Sequence, residues 1–364
     1  MTFIFEELAL CVSTHANHSL IACGCIDGTV EVLNFESTSD GTRCSRASRL
    51  HHKQAVRDLT FGHCSQDSVI YVVTKNRALC KWDFEKGRKI RCLRRAHPTA
   101  PPFCVTVVSA HQVGSGDEAG WVRIWDWRNS GTDPIMEFNN SDDYVTDLIC
   151  DESARYLLAT SGDSCLVAYD LRKKAVMMKS EPMHSELLCC CFAKGESKTV
   201  CGGSDGFLEV FNFKEWGNLV DRIESGHTDT VDCLLSLQQE NLSLVVSGSM
   251  DGDVRVGHIQ PNLTLGVIDY NYIYTYISYL ISSSVKMKRR GGKGIPPITS
   301  FFGTNPPAQK KSRPESAESD DDDQPEVVLA STGASSSAVT APPPPPTQPT
   351  TSGAASAASS PAAS

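Results

Sequence analysis

A hairpin signature that returns every forty-odd residues governs what this 364-residue chain can fold into. Its clearest copy is GSGDEAGWVRIWDWR at 114–128. Small residues let strands approach closely, and a tight turn ends at Gly120. Trp121, Val122, Arg123, Ile124 and Trp125 then alternate with the period of two of a half-buried strand, closed by Asp126. Aligned on Trp125, the pattern recurs at Leu33, Trp82, Tyr169, Phe211 and Gly257, at intervals of 49, 43, 44, 42 and 46 residues along the series. The turn six residues upstream reads Asp27-Gly28, Asn76-Arg77, Ala119-Gly120, Asp163-Ser164, Asp205-Gly206 and Asp251-Gly252. Units at one spacing imply a repeat architecture, in which each small sheet buries its faces on its neighbours.

The spacing and the strand endings resemble the WD repeat. The expected fold class is therefore all-β, a WD-repeat β-propeller with six recognisable blades. In that repeat a His before the blade, a Ser or Thr on the second strand, the turn Asp and the third-strand Trp form a buried hydrogen-bond chain. Such groups need partners, so a partial chain is weaker than a full one. The sixth unit has His227, Ser247 and Asp251 but Gly257 in the Trp place. The third has Ser115, Trp125 and Asp126, with Ala119 in the Asp place and Asp117 or Glu118 as substitutes. The second contributes Trp82 and Asp83, and the first, fourth and fifth contribute Asp27, Asp163 and Asp205. Ala159 replaces the Ser of the fourth unit, and His52, His97 and His184 are further candidates for the His place. No unit is expected to carry all four members, which leaves hydrophobic packing between blades as the main support.

The order and spelling of the divergent units narrow the match. GSGDEAGWVRIWDWR, SGDSCLVAYDLRKK, CGGSDGFLEVFNF and SGSMDGDVRVGHIQPN together resemble the WD repeat-containing protein 55 family over about residues 3–262. That resemblance implies a seven-bladed family fold and a non-enzymatic scaffold of the nucleus and nucleolus, acting in ribosome biogenesis and ribosomal RNA processing. It also implies pre-ribosomal protein partners, with a presence in the cytoplasm left open. After Asn262 the chain departs from the family. No further turn Gly or WD-like ending follows, and only 25 residues separate Asn262 from Met287 where a blade needs about 40. Two readings stay open: a form whose last blade is absent and replaced, which we favour, or a ring that closes on six.

The expected organisation is a propeller over 1–262, a Tyr-rich segment over 263–285 in place of the last blade, and a disordered low-complexity tail over 286–364. The run 270–285 is uncharged but short for a membrane span, and its alternating Tyr270, Tyr272, Tyr274 and Tyr276 favour a strand; no membrane association is expected. The tail is basic near 286–293, acidic at 315–323 and then rich in Ala, Ser, Thr and Pro, too apolar-poor to offset chain entropy. The N-terminal MTFIFEELAL has no basic region before its apolar run, so no secretory signal is expected. Fifteen cysteines with no paired CxxC framework read as small buried hydrophobes in a reducing compartment.

No catalytic motif or metal-ligand set appears, so neither an enzyme nor a cofactor is expected. Three interaction readings compete with the scaffold or extend it. Arg128 and Arg172 each follow a blade-ending Asp by two residues, resembling the WDxR box of substrate receptors of cullin–RING ubiquitin ligases. On that reading the Arg fork makes bidentate bonds to the adaptor. Arg88, Lys89 and Arg91 form a basic outer strand that could meet RNA phosphates or simply guard an edge. Phe301 and Phe302, after Ile295 and Ile298, resemble the box that docks on the replication sliding clamp, with Ile295 in the usual Gln place. The protein is expected to be monomeric within a larger complex.

Overall fold

The computed structural model describes residues 7–15, 20–38, 41–63, 68–239 and 242–268. These residues form six four-stranded antiparallel sheets, each in chain order. The first blade is β1 (Ala9–Thr14), β2 (Leu20–Cys25), β3 (Thr29–Thr38) and β4 (Gly41–His51). The second is β5 (Val56–Phe61), β6 (Val69–Thr74), β7 (Ala78–Asp83) and β8 (Arg88–Leu93). The third is β9 (Pro102–Ser109), β10 (Gln112–Asp117), β11 (Trp121–Asp126) and β12 (Met136–Asn139). The fourth is β13 (Val145–Cys150), β14 (Tyr156–Ser161), β15 (Leu166–Asp170) and β16 (Ala175–Lys179). The fifth is β17 (Leu187–Ala193), β18 (Lys198–Gly203), β19 (Phe207–Asn212) and β20 (Leu219–Glu224). The sixth is β21 (Val231–Gln239), β22 (Leu242–Ser249), β23 (Val254–His258) and β24 (Leu263–Ile268).

This is the expected all-β propeller of six blades, with no helix among the described residues. The boundary at 262 falls one strand short. β24, from the stretch assigned to the replacement segment, pairs with β23 and completes the sixth blade. The alternating tyrosines, the tail clusters, Phe301 and Phe302 lie outside the described residues.

The six hairpin turns fall where the repeat alignment puts them. Gly28, Arg77, Gly120, Ser164, Gly206 and Gly252 all adopt positive φ. Glycine suits that left-handed backbone, and Arg77 and Ser164 hold it against their own Cβ. Arg77 is braced by a bond from Nη1 to the Pro98 carbonyl, 2.7 Å.

Blades pack through their first strands, each against the first and second strands of the blade before it. The shared apolar clusters follow that seam. One joins Ala22, Val30 and Val32 to Val56, Leu59 and Val72; another joins Val200 and Val210 to Val231 and Val245. Cys189 and Cys191 are buried members of the second of these, and Cys104, Cys190 and Cys201 of two similar clusters between other blades, none in a disulfide.

Glycines set how closely blades approach. A Cβ at Gly24, Gly116 or Gly202 would stand 2.4, 2.5 or 2.7 Å from a methyl of Val56, Val145 or Val231, the residue that opens the next blade. Likewise the Cβ positions of Gly28, Gly120 and Gly206 are filled by the carbonyls of His52, Ser141 and His227, which lead into the next blade. The series stops at the sixth blade. Among the described residues Gly248 meets only Cys233 and Val254 of its own sheet, and Gly252 meets nothing within 4 Å. On the other flank, Leu8 just before β1 and Leu10 and Val12 on it are exposed. Among the described residues no core cluster joins the sixth blade to the first.

Polar clamps reinforce two seams. Asp58 on β5 accepts from the Val105 amide of the third blade, 2.7 Å, and Asp147 on β13 from the Cys190 amide of the fifth, 2.9 Å. Burial, with the nearby Asp147 charge adding to it, pushes the Asp58 carboxyl up to about 7 against the pull of the Val105 and Leu59 amides. Its unfolded value is about 3.9, so between those pH values the folded state holds a proton that the unfolded state has released. The Asp58 contribution therefore falls as pH rises from about 4 to about 7. Thermal melts from pH 5 to 8 check this: Asp58→Asn should gain on the native protein as pH rises, and parallel curves would contradict it.

Candidate functional site

Buried polar chains run from the loops into the blades, and they differ from blade to blade. In the third blade the chain is complete. His97 Nδ1 bonds Asp117 Oδ2 at 2.8 Å, His97 Nε2 bonds Ser115 Oγ at 2.7 Å, and the Trp125 indole N–H donates to the same Ser115 Oγ at 2.8 Å. The expectation that no unit holds all four members is thus corrected. Asp117, two residues before the usual turn position, takes the acid's place; its Oδ1 also accepts the amides of Ala119 and Trp121 at 3.0 and 2.9 Å. Arg123, 2% exposed, donates from Nη1 to Asp117 and from Nε to Glu137. Burial holds the His97 imidazolium down, so the neutral ring donates from Nδ1 and accepts the Ser115 hydroxyl at Nε2. Burial opposes charge on Asp117 too, yet its bonds to His97 and the turn amides hold its carboxyl below the usual range.

The sixth blade repeats the first half of this chain. His227 Nδ1 lies 3.0 Å from Asp251 Oδ2 and His227 Nε2 lies 2.9 Å from Ser247 Oγ. Gly257 ends it there. The second blade fails at the hydroxyl: Val72 occupies the Ser place, and both His52 Nε2 and Trp82 Nε1 are buried with no partner among the described residues. The fourth fails the same way, since Ala159 leaves the buried Tyr169 hydroxyl with no partner among the described residues. In the fifth blade His184 is exposed and belongs to no chain. There the buried Trp216, five residues after Phe211, supplies an indole whose N–H donates to Thr199 Oγ1 at 2.9 Å. Nothing in the repeat spacing pointed to Trp216.

The other turn acids cap their own hairpins. Asp27, Asp163, Asp205 and Asp251 each accept the amide two residues on. Asp83 and Asp126 cap the turns after their strands, accepting the amides of Lys86 and Arg128.

The two WDxR arginines are presented differently. Arg128 is exposed, but its guanidinium forks onto Asp126, with Nε donating to Oδ1 at 2.9 Å. In the fourth blade Arg155 takes that role, pairing with Asp170 at 3.1 Å. Asp170 also accepts the backbone amides of Arg172 and Lys173, each at 3.1 Å, while the exposed Arg172 side chain has no partner among the described residues.

The basic strand β8 is partly committed to the fold. Arg91 donates to the carbonyls of Asn129, Ser130 and Gly131 and lies over the Trp127 ring, 5.7 Å from its centroid. Lys89 covers the Trp82 ring at 4.8 Å. Trp82 and Trp127 near this strand are thus covered by its own cations, while Arg88 is exposed and makes no such contact among the described residues.

Comparison with known proteins follows the same chain. The WDR55 family model matches residues 2–273. WD repeat-containing protein 55 of Pongo abelii is 31% identical over 265 residues, covering 73% of this chain and 67% of that protein. The same-named protein of Mus musculus is 30% identical over 265 residues, covering 73% and 66%. WD repeat-containing protein JIP5 of Laccaria bicolor is 32% identical over 275 residues, covering 70% and 64%. Among solved structures, the computationally designed Ika8 protein aligns with a TM-score of 0.55 at 21% identity, covering 70% of this chain and 72% of that one, a likeness of fold alone. By the match of its blades to the family model, this chain belongs to the WDR55 family of WD-repeat proteins.

Proposed function

We propose that this protein is a nuclear and nucleolar scaffold in ribosome biogenesis, supporting ribosomal RNA processing by holding pre-ribosomal proteins on its blades. The observation that carries this reading is the family match across all six blades. A row of rigid sheets displaying loops suits binding, and the buried His–Asp pairs serve the fold as hydrogen-bonded struts.

A second reading, receptor for a ubiquitin ligase, draws on the unpartnered Arg172 fork beside the braced Arg128. One capture experiment separates the two, using the tagged chain and an Arg128→Ala/Arg172→Ala variant, with the bound proteins identified by mass spectrometry. The scaffold reading expects pre-ribosomal proteins with both forms, together with accumulation of unprocessed ribosomal RNA on depletion. Recovery of a ligase adaptor that the double variant loses, with no pre-ribosomal proteins, would replace it by the second reading.

A further inference from the structure

Five blades fill the Trp place with a large buried side chain, namely Leu33, Trp82, Trp125, Tyr169 and Phe211. The sixth has Gly257, and its backbone does not require a glycine. A Cβ there would stand 3.5 Å from the Leu263 carbonyl, an ordinary contact. At this place a cavity of about 210 Å³ opens between blades five and six, its lining including Leu208, Ile223, Val245, Ser247, Arg255 and Gly257. For scale, an apolar void of about 150 Å³ holds a benzene ring.

The polar groups around the void are those that receive an indole in the third blade. Val245 pairs with Gly257 and Ser247 with Arg255, in the register by which Val113 pairs with Trp125 and Ser115 with Arg123. Ser115 Oγ bonds both His97 and the Trp125 N–H. Ser247 Oγ bonds His227 and has no second partner among the described residues, so the lone pair that Trp125 uses on Ser115 is free. Arg255 adds a donor. Its Nε is buried with no acceptor among the described residues, because Val267 stands opposite it where Glu137 stands opposite Arg123.

We propose that the cavity is a binding site for the tryptophan side chain of a partner peptide. The indole fills the void against Leu208, Ile223 and Val245 and donates its N–H to Ser247. A peptide carbonyl beside it accepts from Arg255 Nε. The site is independent of which complex the scaffold serves, since it rests on a position this chain leaves vacant in one blade and fills in five.

The probes are N-acetyl-5-fluorotryptophan amide, 5-fluoroindole and its 1-methyl derivative, followed by fluorine NMR titration against the full chain. The amide should bind tightest and 5-fluoroindole next. The 1-methyl compound, which cannot donate to Ser247, should be weaker than 5-fluoroindole by about five- to tenfold. Gly257→Trp should abolish binding of all three; Gly257→Phe, which fills less volume, serves where the Trp form does not fold. Equal binding of 5-fluoroindole and its methyl derivative, or binding unchanged in a folded cavity-filled variant, overturns the site. Binding of 5-fluoroindole as tight as that of the amide overturns the peptide assignment. Absence of binding at millimolar probe overturns the proposal outright.

Discussion

Asp117→Ala is expected to lower the stability of the propeller by about 3–5 kcal/mol, the cost of breaking a buried ion pair by removing one partner. Asp117 is fully buried and carries more of the third blade than a repeat-position acid would. Its loss strips an anion from Arg123, which keeps only the half-exposed Glu137, and leaves His97 Nδ1 and the amides of Ala119 and Trp121 without an acceptor. For a chain of this size the change corresponds to a fall in melting temperature of roughly 6–20 °C. The pH dependence has a fixed sign. Asp117 has its folded pKa depressed, so its contribution is present above the unfolded value of about 4 and is lost as pH falls below it. The gap between native and variant melting curves should therefore narrow in acid. A loss under 1 kcal/mol at neutral pH would show that the chain of bonds is incidental to the blade.

The second large effect concerns the seams. Gly120→Ala places a Cβ at φ +78 and 2.3 Å from the Ser141 carbonyl, a backbone atom that leads into β13 and cannot swing aside. Left-handed strain costs about 1–2 kcal/mol. Displacing packed backbone adds roughly 1–3 kcal/mol. Gly252→Ala is the internal control, since its φ of +87 imposes the same strain while no described residue lies within 4 Å. Paired chemical denaturation of the two variants should show the Gly120 form losing about twice as much or more. Equal losses would mean that the carbonyl contact carries no weight, or that the sixth turn has a neighbour of its own.

Much of this was legible in the residues. The period placed all six blades, and the turn dipeptides located the six left-handed positions, including Arg77 and Ser164, where the residue type argues against that backbone. The His227–Ser247–Asp251 set was also readable, because its members stand at their usual offsets. Of the third blade's chain the members were legible, Ser115, Trp125, His97 and Asp117 as a substitute acid, but not their joining into one chain. Asp117 reaches the His97 ring from two residues upstream of the expected turn position, and a spacing rule cannot see a side chain approaching from another point. Trp216 escaped for the same reason, its indole entering from the loop after β19. The end of the sixth blade was set one strand early, because β24 (LTLGVI) has neither a turn signal nor a charge pattern of its own and is fixed by pairing with β23. Arg91 reads as part of a basic strand that meets RNA or guards an edge, but the carbonyls that hold it belong to the following blade, some forty residues away in sequence.

The unfilled seat at Gly248 and Gly252 bears on how the molecule comes apart. Among the described residues each sheet packs chiefly on its sequence neighbours, so total stability is close to a nearest-neighbour sum, and a terminal member has one supporting term where an interior one has two. Local opening should then begin at either end of the row and reach the third and fourth blades last. A scaffold so built has a stiff middle and yielding extremities.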